Sequence, residues 1–186
     1  MLFWKKHRKK SILLQNWNLG KEFRGRNVMD IQQIDQLDRE QINTFIIRQW
    51  FSMQMVVRGE CIDLSMASGY YAMEGDEIIG LITYRITDDK MEILSLDSLR
   101  KNNGIGTELL NKATLKAVEI GCAKITLITT NDNISALRFY QKRGFDMVRL
   151  YRNALEQSRK IKPEIPLLGE NGIPLKHEIE LEMSLL

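Results

Sequence analysis

The sequence predicts one α/β domain with a mixed, mostly antiparallel sheet flanked by helices, and three observations carry that expectation. Three β-rich segments follow one another between Tyr70 and Leu96 with only short turns between them, the pattern of consecutive antiparallel strands. A helical repeat of apolar residues then separates the third segment from a strand over 124–130, so those two strands run parallel through a crossover near the middle of the sheet. Near the end, Glu178 to Met183 alternates charged and apolar residues, as a half-buried strand does.

In chain order, Val28 to Ile34 suits a short strand. From Asp35 to about Phe51, the residues Leu37, Ile42, Phe45, Ile46 and Trp50 mark one face of an amphipathic helix, with Asp35 or Asp38 placed to cap its first amides. Met55 to Arg58 reads as extended and 59–69 as loop. Tyr70 to Met73 and Ile78 to Ile86 form a hairpin around Glu74-Gly75-Asp76, and Thr87-Asp88-Asp89 turns the chain into the strand Met91 to Leu96. Ile105, Leu109, Leu110, Ala113, Ala117 and Val118 share a helical face that Gly121 ends. Ile134 to Arg143 is a further helix stopped at Gly144, and Phe145 to Tyr151 is a strand. Residues 161–177 hold all three prolines and read as an extended loop, long enough to border a binding pocket.

Charge is unevenly spread. Residues 1–28 carry eight Lys and Arg against Glu22 alone, whereas 29–186 carry 19 basic and 23 acidic residues. The net +3 is therefore a property of a basic extension, 1–27, expected to be flexible, and the domain over 28–186 is slightly acidic. A nucleic-acid footprint over the fold is not expected. Leu2, Phe3, Trp4, Ile12, Leu13, Leu14 and Trp17 interleave with the basic residues, so membrane contact by the extension is a secondary expectation. The alternatives are an unordered tail or an upstream extension of a chain that starts at Met29. Cys61 and Cys122 stand in no metal-ligand or redox spacing, and His7 and His177 have no partners at ligand distance in sequence, so no metal site is expected. With no signal-peptide core, a reduced, cytoplasmic protein is expected, as monomer or homodimer.

Two segments could carry chemistry. Arg100-Lys101-Asn102-Asn103-Gly104-Ile105-Gly106-Thr107 lies between a strand and a helix. Glycines there let backbone amides approach a phosphate, and the helix N-terminus adds unpaired N–H groups, although the same glycines can simply shape a turn. In Asn133-x-x-Ala136-x-x-Phe139-Tyr140-x-x-x-Gly144-Phe145, Asn133 and Tyr140 share a helical face, and the small Ala136 between them leaves room for a ligand. Phe139 and Tyr140 are also candidates for core aromatics.

Together these segments resemble the GNAT superfamily of acyl-CoA-dependent N-acyltransferases. They are similar to its pyrophosphate loop, Arg/Gln-x-x-Gly-x-Gly/Ala, and to its Asn-x-x-Ala-x-x-x-Tyr-x-x-x-Gly-Phe segment, in the right order and one helix and one strand apart. The resemblance covers about 28–151 and is strongest over 92–146. It departs at Lys101, where Arg or Gln is usual, and at Asn102 and Asn103, where Gly and Lys or Arg are frequent; Lys101 keeps the charge.

The resemblance implies a parallel strand pair that splays to admit acetyl-CoA. The backbone of Leu94, Ser95 and Leu96 would bind the pantetheine arm, and the amides of Lys101, Asn102, Asn103, Gly104, Ile105 and Gly106, with Thr107, the pyrophosphate. Asn133, Ala136 and Phe139 would face the cofactor. Tyr140 would be the general acid for the departing thiolate, and Glu92 the base that deprotonates a primary amine, unless Glu92 is a solvated strand residue beside Lys90. Asp97, Ser98, Thr129, Thr130 and Asn131, where the sheet opens, are alternatives for that base. Contact with the acceptor, a small molecule or peptide amine whose identity stays open, is the preferred reading for them. Arg58 reads as a surface arginine, with a border position at the acceptor pocket as the alternative. Lacking a cysteine in these segments, the chain is expected to transfer the acetyl group directly; a non-catalytic acyl-CoA sensor is the rival reading.

Overall fold

The computed structural model describes residues 29–100, 102–169 and 172–185. The basic extension and Lys101 lie outside the described residues.

Strand β1, Asp30–Gln33, is followed by a single 3-10 turn at Ile34–Gln36. The helix expected from Asp35 begins later, as α1, Arg39–Trp50. Leu37 is extended between the two, and Asp38 caps α1 by accepting from the Glu40 N–H at 3.1 Å. Phe51, in the left-handed region at φ 59°, ends it. The stretch 59–69, expected as loop, instead contributes half of a hairpin: β2, Gln54–Val57, pairs with β3, Glu60–Asp63. Its two turn residues, Arg58 and Gly59, both have positive φ (53° and 72°), which matches the twist of paired strands. Arginine is an unusual choice at a left-handed position, and β3 buries only Ile62, so neither turn chemistry nor alternation announced the hairpin.

The next elements follow the expected pattern: β4, Ser68–Glu74; β5, Glu77–Thr87; β6, Lys90–Ser98; α2, Ile105–Glu119; β7, Lys124–Thr130; α3, Ile134–Gln141; and β8, Asp146–Tyr151. A fourth helix, α4, Ala154–Ile161, had no counterpart in the sequence reading. Its Arg159 donates to the carbonyls of Ile165, Pro166 and Leu175, folding the proline-bearing segment back on itself. Strand β9, Glu178–Ser184, completes a seven-stranded sheet in the order β1-β4-β5-β6-β7-β9-β8. Among the described residues, β6 and β7 form its one parallel pair.

Apolar residues cover both faces. Met91, Ile93, Ile125, Leu127 and Leu181 pack with Leu109, Leu110 and Ala113 of α2 and with Tyr140 and Phe145. On the opposite face, Tyr71, Ile78 and Leu81 pack with Ile42, Phe45 and Ile46 of α1 and with Ile62 and Leu64. Burial of each such large side chain is worth about 1.5–3 kcal/mol, so the two clusters hold the helices against the sheet and fix its central strands. Cys122 is buried within the first of these clusters.

Candidate active site

The parallel pair is short. Its register runs from Lys90 opposite Lys124 to Ile93 opposite Leu127 and stops there, although β6 continues to Ser98 and β7 to Thr130. Beyond Ile93, β6 stays paired with β5 up to Ser98 opposite Gly80, and β7 stays paired with β9 up to Thr130 opposite Glu178. Each strand thus follows its outer neighbour, and the sheet opens as a wedge between them. On the β5 side the register jumps from Thr83 opposite Ser95 to Tyr84 opposite Ile93, so Leu94 is the bulged residue at the apex of the wedge. Such a bulge takes a residue's peptide groups out of the regular ladder.

At the wide end of β6 the chain turns through Asn102, at φ 65°, and Gly104, at φ 81°, which is the N-cap of α2. Asn102, Asn103 and Gly104 are exposed, and Ile105 is buried beneath them. Gly106 sits where three elements meet: a methyl group there would touch the Phe139 ring at 3.6 Å and Leu96 at 4.0 Å. The two motif segments are therefore adjacent in space. Arg143, which the sequence reading did not single out, joins them. Its guanidinium stacks 3.6 Å from the Phe139 ring centre and donates to Thr107 Oγ1 at 2.5 Å, while its buried Nε has no partner among the described residues. The one available signal was a cation just before Gly144, at the end of a helix.

Tyr140, on α3, is buried between Phe139 and Phe145, edge to face with each at 5.1 and 5.3 Å. Burial raises its hydroxyl pKa well above the ordinary value, the negative charge of Asp97 raises it further, and Arg143 opposes the shift. Tyr140 on α3 is therefore near enough to the end of β6 to feel the charge of Asp97. Asp97 is half-buried and accepts from the Trp50 indole Nε1 at 2.9 Å. Burial pushes its carboxyl up to about 6, against the lowering effect of the indole. Sequence periodicity places Trp50 on the apolar face of α1, and the structure turns its indole N–H to Asp97.

Glu92 is 3 % exposed and is no solvated strand residue. One carboxylate oxygen accepts from Arg58 Nη2 at 2.7 Å and the other from Arg85 Nε at 2.7 Å. Burial alone would raise its pKa, but the hydrogen bonds and charges of Arg85 and Arg58 outweigh burial, and the net shift is downward. Arg58 is correspondingly no free surface arginine. Its backbone N–H also donates to Glu178 at 2.8 Å, and Arg85 continues to Glu60, so the β2–β3 hairpin is clamped over the sheet by charge. Next to the clamp, Arg58, Lys90, Lys124, Arg149, Glu180 and Glu182 line much of a polar hollow of about 410 Å³.

Several predicted site residues also have structural tasks. Ser95 Oγ is hydrogen-bonded to Thr83 Oγ1 at 2.8 Å, and Ser98 Oγ donates to the Arg100 carbonyl. Thr130 Oγ1 donates to Asp132, and Asn133 caps α3 by accepting from the Ala136 N–H at 2.9 Å. Both ends of the Asn131 amide hold the proline-bearing loop: Oδ1 accepts from the N–H groups of Lys176 and His177, and Nδ2 donates to the Pro174 carbonyl. Asn131 is thereby a loop anchor at the rim of the wedge, which places that loop beside the site.

Comparison with known proteins bears on this arrangement. Residues 26–145 match the acetyltransferase (GNAT) family. The uncharacterized protein YxbD of Bacillus subtilis is 46% identical over 158 residues, 84% of this chain and 99% of that protein. Human N-alpha-acetyltransferase 30 is 34% identical over 101 residues, which cover 48% of this chain and 28% of that protein. The crystal structure of a Bacillus subtilis acetyltransferase in complex with CoA superposes with a TM-score of 0.61 at 21% identity, covering 85% of this chain and 99% of that one. The match runs from just before β1 to the Gly144-Phe145 pair and takes in the wedge, the glycine loop and Tyr140, and the chain belongs to the GNAT family of acetyltransferases.

Proposed function

We propose that the protein transfers an acetyl group from acetyl-CoA directly to a primary amine. The observation that carries this reading is the wedge between β6 and β7, with the bulged Leu94 at its apex and Tyr140 at its wall. A cofactor fits the residues present: the open edge of Leu94, Ser95 and Leu96 suits an extended pantetheine arm. The amides of 102–107 at the α2 N-terminus, with Lys101 and Arg143 close in sequence or space, suit its phosphates. Acetyl-CoA would supply the acetyl group as a thioester.

On this reading the backbone N–H at the bulge donates to the thioester oxygen as negative charge grows on it. Tyr140 Oη keeps its proton at neutral pH, because burial disfavours phenolate, and gives it to the departing sulfur. Glu92, held ionised between two guanidiniums, is a weak proton acceptor; its task is to fix Arg58 and the hairpin along the acceptor side. The polar hollow beside Arg58 would receive the part of the acceptor remote from the amine.

The test is release of free CoA thiol from acetyl-CoA, measured across a panel of amino acids, peptides, polyamines and aminoglycosides. Faster release with at least one amine class, and an acetylated amine as product, is the expected result. CoA binding without release for any amine would replace the enzyme by an acyl-CoA sensor.

A further inference from the structure

Direct transfer leaves one proton unassigned. An alkylammonium with an ordinary pKa of about 10.4 must lose a proton to become a nucleophile. Of the two acidic side chains that β6 carries at the wedge, Glu92 is occupied by Arg58 and Arg85. Asp97 differs in each respect that matters. It lies at the wide end of the opening, it is half-buried, and among the described residues no cation pairs with it. Its Oδ2 is fixed by the Trp50 indole at 2.9 Å, so the carboxylate is oriented without being neutralised.

We propose that Asp97 is the proton acceptor for the amine, with Trp50 as the residue that positions it. The assignment rests on the acetyltransferase reading above. The proton passes from the acceptor nitrogen to a carboxylate oxygen of Asp97, directly or through one water. The N–H bond breaks, an O–H bond forms, and the nitrogen keeps the electron pair with which it attacks the thioester carbon. The acid then returns its proton to solvent, and the adduct nitrogen sheds a second proton as the thiolate leaves, which through solvent restores the Tyr140 hydroxyl and leaves one N–H on the amide.

The surroundings of Asp97 suit this exchange. Trp50 donates to it from α1, Tyr140 on α3 feels its charge with Arg143 acting in the opposite sense, and its partner on β5 is the apolar Leu81. Burial brings the carboxyl to about 6, so it is mostly ionised at neutral pH yet more basic than Glu92, whose shift is downward. The same burial keeps Tyr140 protonated. One acid and one base, coupled by charge and pushed apart by their environments, then divide the labour that acid–base chemistry at neutral pH requires.

The experiment is a pH profile of kcat/KM with acetyl-CoA and the fastest amine of the panel, for wild type, Asp97→Asn and Trp50→Phe, beside CoA binding by each. Wild type should lose rate as pH falls below about 6. Asp97→Asn should bind CoA, lose about 10²-fold or more in kcat/KM, and lack that acidic limb. Trp50→Phe should keep the limb but move it to higher pH, because the indole N–H favours the carboxylate. An unchanged limb in Asp97→Asn overturns the assignment; if that variant fails to bind CoA, a Trp50→Phe limb at the wild-type position overturns it instead. Should no amine accelerate CoA release, the acetyltransferase reading falls by itself. The emission of Trp50 then decides the basicity of Asp97: an inflection near pH 6, absent from Trp50→Phe, supports it, and a flat titration overturns it.

Discussion

Tyr140 and Glu92 are both buried polar residues, but their surroundings prepare them for opposite tasks. Tyr140 lies among aromatic rings, where an anion is poorly solvated, and so retains a proton it can give. Replacing it by Phe removes the proton and little of the packing; kcat should fall by about 10²–10⁴-fold with CoA affinity retained, read by thiol release and titration calorimetry. Glu92 is held by two cations and cannot easily accept a proton. In Glu92→Gln, Arg58 and Arg85 lose a buried counter-charge, and stability at neutral pH should drop by about 3 kcal/mol. Since the folded pKa of Glu92 lies below its ordinary 4.5, the contribution is present above that value and disappears as pH falls through the folded value. Denaturant melts should therefore show wild type and Glu92→Gln converging in acid; a gap that stays constant down to pH 3 would remove the ion pair as its cause.

At the scale of elements, the glycine loop and α3 are joined at Gly106. A methyl group at Gly106 meets Phe139 at ordinary contact distance, so Gly106→Ala should leave thermal stability unchanged or slightly higher, as the helix gains a better former. The added carbon would occupy the cradle all the same, and CoA affinity should fall by about tenfold, a loss of about 1.4 kcal/mol; unchanged affinity would move the cofactor elsewhere. The sequence made these elements legible because α2 and β7 bury strong apolar patterns, and Gly121 and Gly144 follow α2 and α3. The β2–β3 hairpin was illegible for a physical reason: charges dock it. Arg58, Glu60, Arg85, Glu92 and Glu178 leave no alternation to read, and their pairing joins residues up to 120 positions apart. Helix α4 was missed similarly, since it buries only Leu155 and Ser158. Arg143 and Trp50 gained their meaning only when the fold brought Thr107 and Asp97 beside them.

For the whole molecule, the proline-bearing loop ties the last strand to the rim of the wedge. Asn131 makes three side-chain hydrogen bonds to it, each worth about 0.5–1.5 kcal/mol net. Asn131→Ala should free this segment without melting the core, giving faster amide exchange at Lys176 and His177 and earlier proteolytic cutting within 162–177. Protection equal to wild type would mean that Arg159 holds the loop alone.

The strand this loop delivers also constrains the birth of the protein. β9, the final strand, is inserted between β7 and β8 and pairs with both. A nascent chain that has emerged only as far as β8 has an empty lane in its sheet, with Leu127 and Phe145 lacking the cover that Leu181 gives them. The ladders that join β7 to β8 through β9 form only once Glu178–Ser184 has left the ribosome, and until then two strand edges stand unpaired, open to the wrong partner.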